Sequence, residues 1–160
     1  MAGISGRIGG GFVGYDVSAV FDPATGQITG RMGGRFNGKD LNLVYDGAQL
    51  WGRWGGSFDG KDLNCALNDY GLAGRMGGKS IGYDLNLAFD GARVDGRVGG
   101  AVGGFDVHLS CAPDGALTGR LGGATFGKDC NLQVDGVPWL VAAAVAAAVY
   151  HQMEMDKKKN

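Results

Sequence analysis

Val137-Pro138-Trp139-Leu140-Val141-Ala142-Ala143-Ala144-Val145-Ala146-Ala147-Ala148-Val149-Tyr150 is a run of 14 residues with no charged side chain. Alanine and leucine favour helix, and Pro138 suits a first helical position. Lys157, Lys158 and Lys159 suit a helix C-terminus, where the backbone dipole is negative. A helix that is apolar all round is buried on every side or sits in a membrane. Fourteen apolar residues fall short of the roughly 20 needed to span a bilayer. The run therefore predicts a buried helix over 137–156, followed by a basic tail over 157–160. Such a helix needs a container, which residues 1–136 must build.

Those residues are six copies of one unit. Gly-Arg-apolar followed by Gly-Gly recurs at Arg7, Arg31, Arg53, Arg75, Arg97 and Arg120, at spacings of 24, 22, 22, 22 and 23. Nine residues after each arginine stands an aspartate: Asp16, Asp40, Asp62, Asp84, Asp106 and Asp129. A second turn signal, usually Asp-Gly as at Asp46-Gly47 and Asp90-Gly91, closes the unit. A period this regular marks a repeat architecture.

Each unit reads as two strands. Counted from the aspartate, positions +1, +3 and +5 are apolar, as in Leu41, Leu43 and Tyr45, while +2 is polar, as in Asn42. That alternation marks a strand with one buried face. The arginine strand alternates too, with Leu50 and Trp54 or Leu72 and Met76 on the inner side and a glycine between them. Arginines and aspartates fall on the outer face. Gly-x and Asp-Gly pairs suit antiparallel hairpins. At least one turn class is expected to exceed two residues, since two-residue loops at both ends would slide the hairpins too far for closure.

Twelve up-and-down strands could form a closed barrel, an open sheet or a stacked β-solenoid. A solenoid would stack like charges in columns about 4.8 Å apart, which is destabilising. In an antiparallel meander, arginine and aspartate strands alternate. An open sheet leaves edges exposed, and closure removes them. About eight strands suffice for a barrel filled by its own side chains, so twelve leave a hollow. A helix of about 18 residues, about 27 Å long, matches that hollow in height. The expected fold is therefore all-β: one domain, 1–156, a twelve-stranded antiparallel up-and-down barrel of six hairpin repeats, with strands in 1–136 and the helix as its filling. On this reading the inward glycines make room for the helix.

Six hairpins around a hydrophobic C-terminal helix, entered through Asp135-Gly136-Val137-Pro138-Trp139-Leu140, resemble the tubby C-terminal fold shared by phospholipid scramblases and LURP-one-related proteins. The likeness is architectural and spans nearly the whole chain. It implies binding of phosphoinositides or other membrane lipids through a basic surface, and it carries no individual residue over.

Composition and motifs bound the chemistry. Glycine is 33 of 160, about three times the usual share of roughly 7%, but only 3 prolines argue against collagen and Pro/Gly-type disorder. A net charge of -1 argues against a nucleic-acid partner. No early stretch looks like a secretion signal, and 3 cysteines fit a reducing compartment, so a cytoplasmic location is expected, with peripheral membrane contact allowed. Cys65, Cys111 and Cys130 replace Leu, Phe or Val of sister repeats and read as core residues. The Gly-x-Asp units resemble calcium β-roll repeats only distantly, since those have a nine-residue period. No metal and no cofactor is expected. His108 and His151 lack a serine or cysteine partner set by the repeat, so no enzyme activity is expected. A sixfold lectin would place an aromatic at one outer position in every unit, whereas Ser5, Thr29, Trp51, Ala73, Asp95 and Thr118 stand there.

One geometric feature remains. The Gly-x-Asp units share one end of the barrel, and the helix must run back toward it. Lys39, Lys61 and Lys128 then meet Lys157, Lys158 and Lys159 there, with Tyr15, Tyr83 and Phe105 expected exposed beside them. Lysine with interfacial aromatics suits an anionic membrane surface. The twelve residues from Arg7 to Asp129 read as a structural charge girdle. The expected function is a non-enzymatic tubby-like module contacting anionic lipid. The alternative is a structural or self-assembling module with a protein partner, the solenoid fibre included.

Overall fold

Alternation with period 2 along each half-repeat yields twelve strands in the computed structural model, which describes residues 2–34, 38–56, 60–77, 82–99, 103–123 and 126–158. They are β1 (Gly3–Gly9), β2 (Gly14–Phe21), β3 (Gln27–Gly33), β4 (Gly38–Tyr45), β5 (Gln49–Trp54), β6 (Lys61–Leu67), β7 (Gly71–Gly77), β8 (Gly82–Phe89), β9 (Arg93–Val98), β10 (Phe105–Cys111), β11 (Ala116–Gly122) and β12 (Gly127–Asp135). Each pairs antiparallel with its neighbours in sequence, and β1 pairs with β12, so the barrel closes. Closure rules out the stacked solenoid and its fibre. It also leaves no strand edge open.

The helix α1 (Trp139–Lys158) fills the barrel. Every residue from Val141 to Val149 is 0 % exposed, packed within a lining that includes Ile8, Leu41, Leu63, Leu85 and Leu109. The helix starts two residues later than the sequence suggests, because Pro138 stands before it and accepts its first bond, from Ala142 N at 3.0 Å. It also runs two residues further, taking Lys157 and Lys158 out of the expected tail. The side chain of Lys158, and all of Lys159, lie outside the described residues.

The inward glycines have a different purpose from the expected one. A Cβ on Gly6, Gly30, Gly52, Gly74, Gly96 or Gly119 would come closer than 3.0 Å to a backbone carbonyl of the adjacent strand: that of Asn131, Ser18, Asn42, Asn64, Asn86 or His108, respectively. The three nearest atoms at each site belong to that strand, and none to the helix. Each of these six contacts lies where one repeat meets the preceding one. The glycines let the strands coil tightly at six seams, as curved sheets require. They shape the wall rather than clear the lumen.

The girdle explains the rest of the repeat. Arg7, Arg31, Arg53, Arg75, Arg97 and Arg120 pair with Asp16, Asp40, Asp62, Asp84, Asp106 and Asp129 at 2.7–2.9 Å, each pair bridging the two strands of one repeat. The same guanidinium groups reach back to carbonyls in the glycine turn, as from Arg7 to Gly10 at 3.0 Å and from Arg53 to Gly56 at 3.1 Å. In four repeats the glycine two residues before the aspartate, Gly14, Gly38, Gly60 or Gly82, lies beneath the guanidinium: a Cβ would meet it at 2.9 Å on Gly14 and 2.8 Å on Gly60. Arginine, turn glycines and aspartate are thus one clasp. Its side chains are well exposed, so each ion pair is worth about 0.2–1 kcal/mol. Register more than energy is the contribution.

At the other end, Asp46 Oδ1 accepts from Ala48 N and Gln49 N, and Asp90 Oδ1 from Ala92 N and Arg93 N, at 2.7–2.9 Å. These backbone donors hold both carboxyls below the usual carboxylate range. They are side-chain-stabilised turns of the kind Asp-Gly favours.

Candidate functional site at the helix exit

The helix changes character at its last two turns. After Tyr150 come His151, Gln152, Met153, Glu154, Met155 and Asp156, the first polar side chains the barrel interior meets. Around them stands a ring contributed by one residue per repeat: Tyr15, Lys39, Lys61, Tyr83, Phe105 and Lys128. These are the residues just before the girdle aspartates. They belong to strands β2, β4, β6, β8, β10 and β12, not to turns. Since the aspartates point outward, strand alternation turns this ring inward.

Inward orientation corrects the expected exposure of the three aromatics. Phe105 is 8 % exposed, and Tyr15 and Tyr83 are half-buried. Phe105 packs edge-on against Tyr150, ring centres 4.6 Å apart, and Tyr83 against His151 at 5.1 Å. Tyr15 donates its hydroxyl hydrogen bond to Asp156 Oδ2. Burial, then the Asp156 carboxylate, push its phenol pKa up. The aromatics pack around the helix at the mouth and are less exposed than expected.

A polar chain crosses the same region. Trp54 Nε1 donates to Gln152 Oε1 at 2.9 Å, and Gln152 Nε2 donates to Asp156 Oδ1 at 2.8 Å. Tyr15 completes it. Trp54 is 0 % exposed and Gln152 2 %, so their bond is shielded from water. Gln152→Ala strands the indole N–H in an apolar wall, where an unmade bond costs about 1–3 kcal/mol. We expect the free energy of unfolding read from a urea titration to fall by that amount, and Gln152→Glu, which keeps the acceptor for Trp54 but sets a second carboxylate against Asp156, to be no milder.

The lysines divide. Lys39, Lys61 and Lys128 are half-buried in the ring, and Lys157 is exposed at the last helical turn. The helix thus emerges at the end where the sequence places it. Glu154 and Asp156 stand among these lysines, so the charge at the mouth is mixed. A small cavity of about 140 Å³ opens between Tyr83, Phe105, Tyr150, His151 and Glu154. Burial, then the Glu154 carboxylate, push the Tyr150 phenol up to about 12. Neither the cavity nor the Trp54–Gln152–Asp156–Tyr15 chain is apparent from the sequence. Its one hint is that polarity begins in the helix at His151.

Elsewhere the candidates are structural. Cys65 and Cys130 are buried, and burial pushes their thiols up to about 11 and about 12. Cys111 is half-buried, its thiol likewise raised to about 11 by burial. On the outer wall His108 Nδ1 lies 2.8 Å from Asp95 Oδ1, and this bond more than Arg93 holds the Asp95 carboxyl low. Ser110, the hydroxyl two residues along from His108, accepts from Arg93 Nη1 at 2.8 Å. Trp51 is half-exposed, as the alternation predicts. Among the described residues, no group of three or more His, Cys, Asp or Glu side chains converges as a metal site would require. Among the described residues no helix is long and apolar enough to cross a membrane.

Compared with known proteins, the chain matches no family model, no curated protein and no solved structure.

Proposed function

We propose that the chain is a non-enzymatic binding module of tubby-like type that meets an anionic surface, that of a membrane bearing acidic lipids, with the barrel mouth at the helix exit. The reading is carried by one placement: Lys39, Lys61 and Lys128, from three different repeats, ring the opening from which Lys157 emerges. Their half-burial suits side chains whose stems line the mouth and whose ammonium groups reach its edge. The aromatics add rigidity at the mouth, not anchoring, so attraction rests on charge and falls with added salt. Glu154 and Asp156 temper it.

The test is sedimentation with vesicles of phosphatidylcholine containing phosphatidylserine. At about 1 kcal/mol per lysine near such a surface, loss of three contacts weakens binding by roughly a hundredfold. Lys39→Glu/Lys61→Glu/Lys128→Glu should therefore leave the vesicles while still melting cooperatively. Binding that survives this triple change would reject the reading.

A second reading, assembly through the outer wall, is favoured by Val20 at 45 % and Trp51 at 37 % exposure on outward-facing strand positions. Light scattering without lipid tests it: large particles lost on Trp51→Ser support it, and a monodisperse monomer removes it.

A further inference from the structure

The cavity between strands β8 and β10 and the helix has an unusual wall for its size. Three aromatic rings converge there from three elements: Tyr83, Phe105 and Tyr150. Their mutual placement is fixed by edge-on contacts, Phe105 on Tyr150 at 66° and Tyr83 on His151 at 74°. One carboxylate, Glu154, sits in the same wall, and it is the only glutamate of the chain. Tyr150 lines the same wall, where burial and then the Glu154 charge push its phenol up.

We propose that this cavity binds a small alkylammonium group, a trimethylammonium head being the best fit. Ring faces carry negative charge density and attract a cation, most strongly where water is excluded. A carboxylate beside them supplies the counter-charge. The volume of about 140 Å³ corresponds to roughly four or five water-sized atoms, which is a nitrogen with its methyl groups and one further carbon. A neutral apolar guest would leave the carboxylate facing hydrocarbon, which is costly. An anion would face that carboxylate. A bare ammonium or metal ion is strongly hydrated and would give up more water than one carboxylate and the phenol oxygens replace. The methylated cation alone is weakly hydrated, the right size and complementary in charge. It could come from a choline lipid headgroup or from a free methylated amine.

This site goes beyond the anionic-surface reading and stands without it, because it uses none of Lys39, Lys61 and Lys128. The measurement is a titration with tetramethylammonium chloride followed by proton NMR, with tert-butanol as the neutral guest of the same shape. The methyl signal of the cation should move upfield and saturate at millimolar concentration, with cross-relaxation to the rings of Tyr83 and Phe105. tert-Butanol should bind at least tenfold more weakly to the same protein, a comparison that needs no variant. Glu154→Gln and Tyr83→Leu should each raise the dissociation constant at least fivefold, and Lys61→Glu should not raise it. Free choline competing with tetramethylammonium, with no pelleting on pure phosphatidylcholine vesicles, would support a soluble amine as the source. Pelleting on those vesicles that Glu154→Gln abolishes would support the headgroup. Equal binding of tert-butanol, no saturable shift, or indifference to Glu154→Gln would overturn the proposal.

Discussion

Removing residues 137–160 should abolish folding: we expect the shortened chain to aggregate and to show no cooperative melt. The barrel wall cannot stand alone because its inner face is built for a partner. Ile8, Leu41, Leu85, Val98, Leu109 and Leu121 are each 0 % exposed, and the helix occupies the lumen they face. Without the helix they surround a hollow too wide for their own side chains to fill. An unfilled apolar cavity destabilises in proportion to its size, and a hollow one helix wide exceeds any single-residue cavity many times over. A gentler variant makes the same point. Ala144→Asp sets an unpaired carboxylate at a position that is 0 % exposed, with no partner described near it. Several kcal/mol of desolvation should remove the cooperative transition or lower its midpoint drastically. A shortened chain that melts like the parent would show the helix to be an appendage.

Gly30→Ala should destabilise by about 3 kcal/mol or more, a severe loss for adding one methyl. The new Cβ would press on the Ser18 carbonyl and Ala19 Cα, both backbone, so no side chain can swing away. Relief requires the seam between β2 and β3 to open. Gly11→Ala serves as the control, since nothing lies within 4 Å of its added Cβ. It should cost only a few tenths of a kcal/mol, within the range of ordinary surface changes. Chemical unfolding of the two variants decides the point. If both are equally mild, the seams are not tightly coiled and the glycines need another explanation.

Much of this fold can be read from the residues, and the parts that cannot have physical causes. Strand alternation, a six-fold unit and an uncharged alanine run lead to a closed barrel around a helix without long-range information. The Arg–Asp clasp follows as well, since a constant spacing of nine places each arginine opposite its aspartate across a hairpin. Glycine was harder. Gly30 lies on the inner face, where both the helix and the curling neighbour strand approach. Only coordinates tell which one a Cβ would strike. The ring of Tyr15, Tyr83 and Phe105 was misjudged for a related reason. Gly-x-Asp has the composition of a turn, but the strand has begun before the aspartate. Extending the alternation one residue back turns those rings inward. The bond from Trp54 to Gln152 joins residues 98 apart, and that from Tyr15 to Asp156 residues 141 apart. No local pattern encodes such pairings. The alkylammonium cavity shares that origin, since its walls come from two strands and the helix.

Native-state hydrogen exchange tests the central claim most directly, because amides in different elements report the opening each one needs. If the helix is the core of the barrel, the amides of Val145 to Val149 cannot exchange until the wall opens. They should then exchange at the same free energy as the centres of β4 and β8, equal to that of global unfolding, and respond equally to denaturant. Helix amides that exchange by a cheaper local opening, while those strands stay protected, would contradict it.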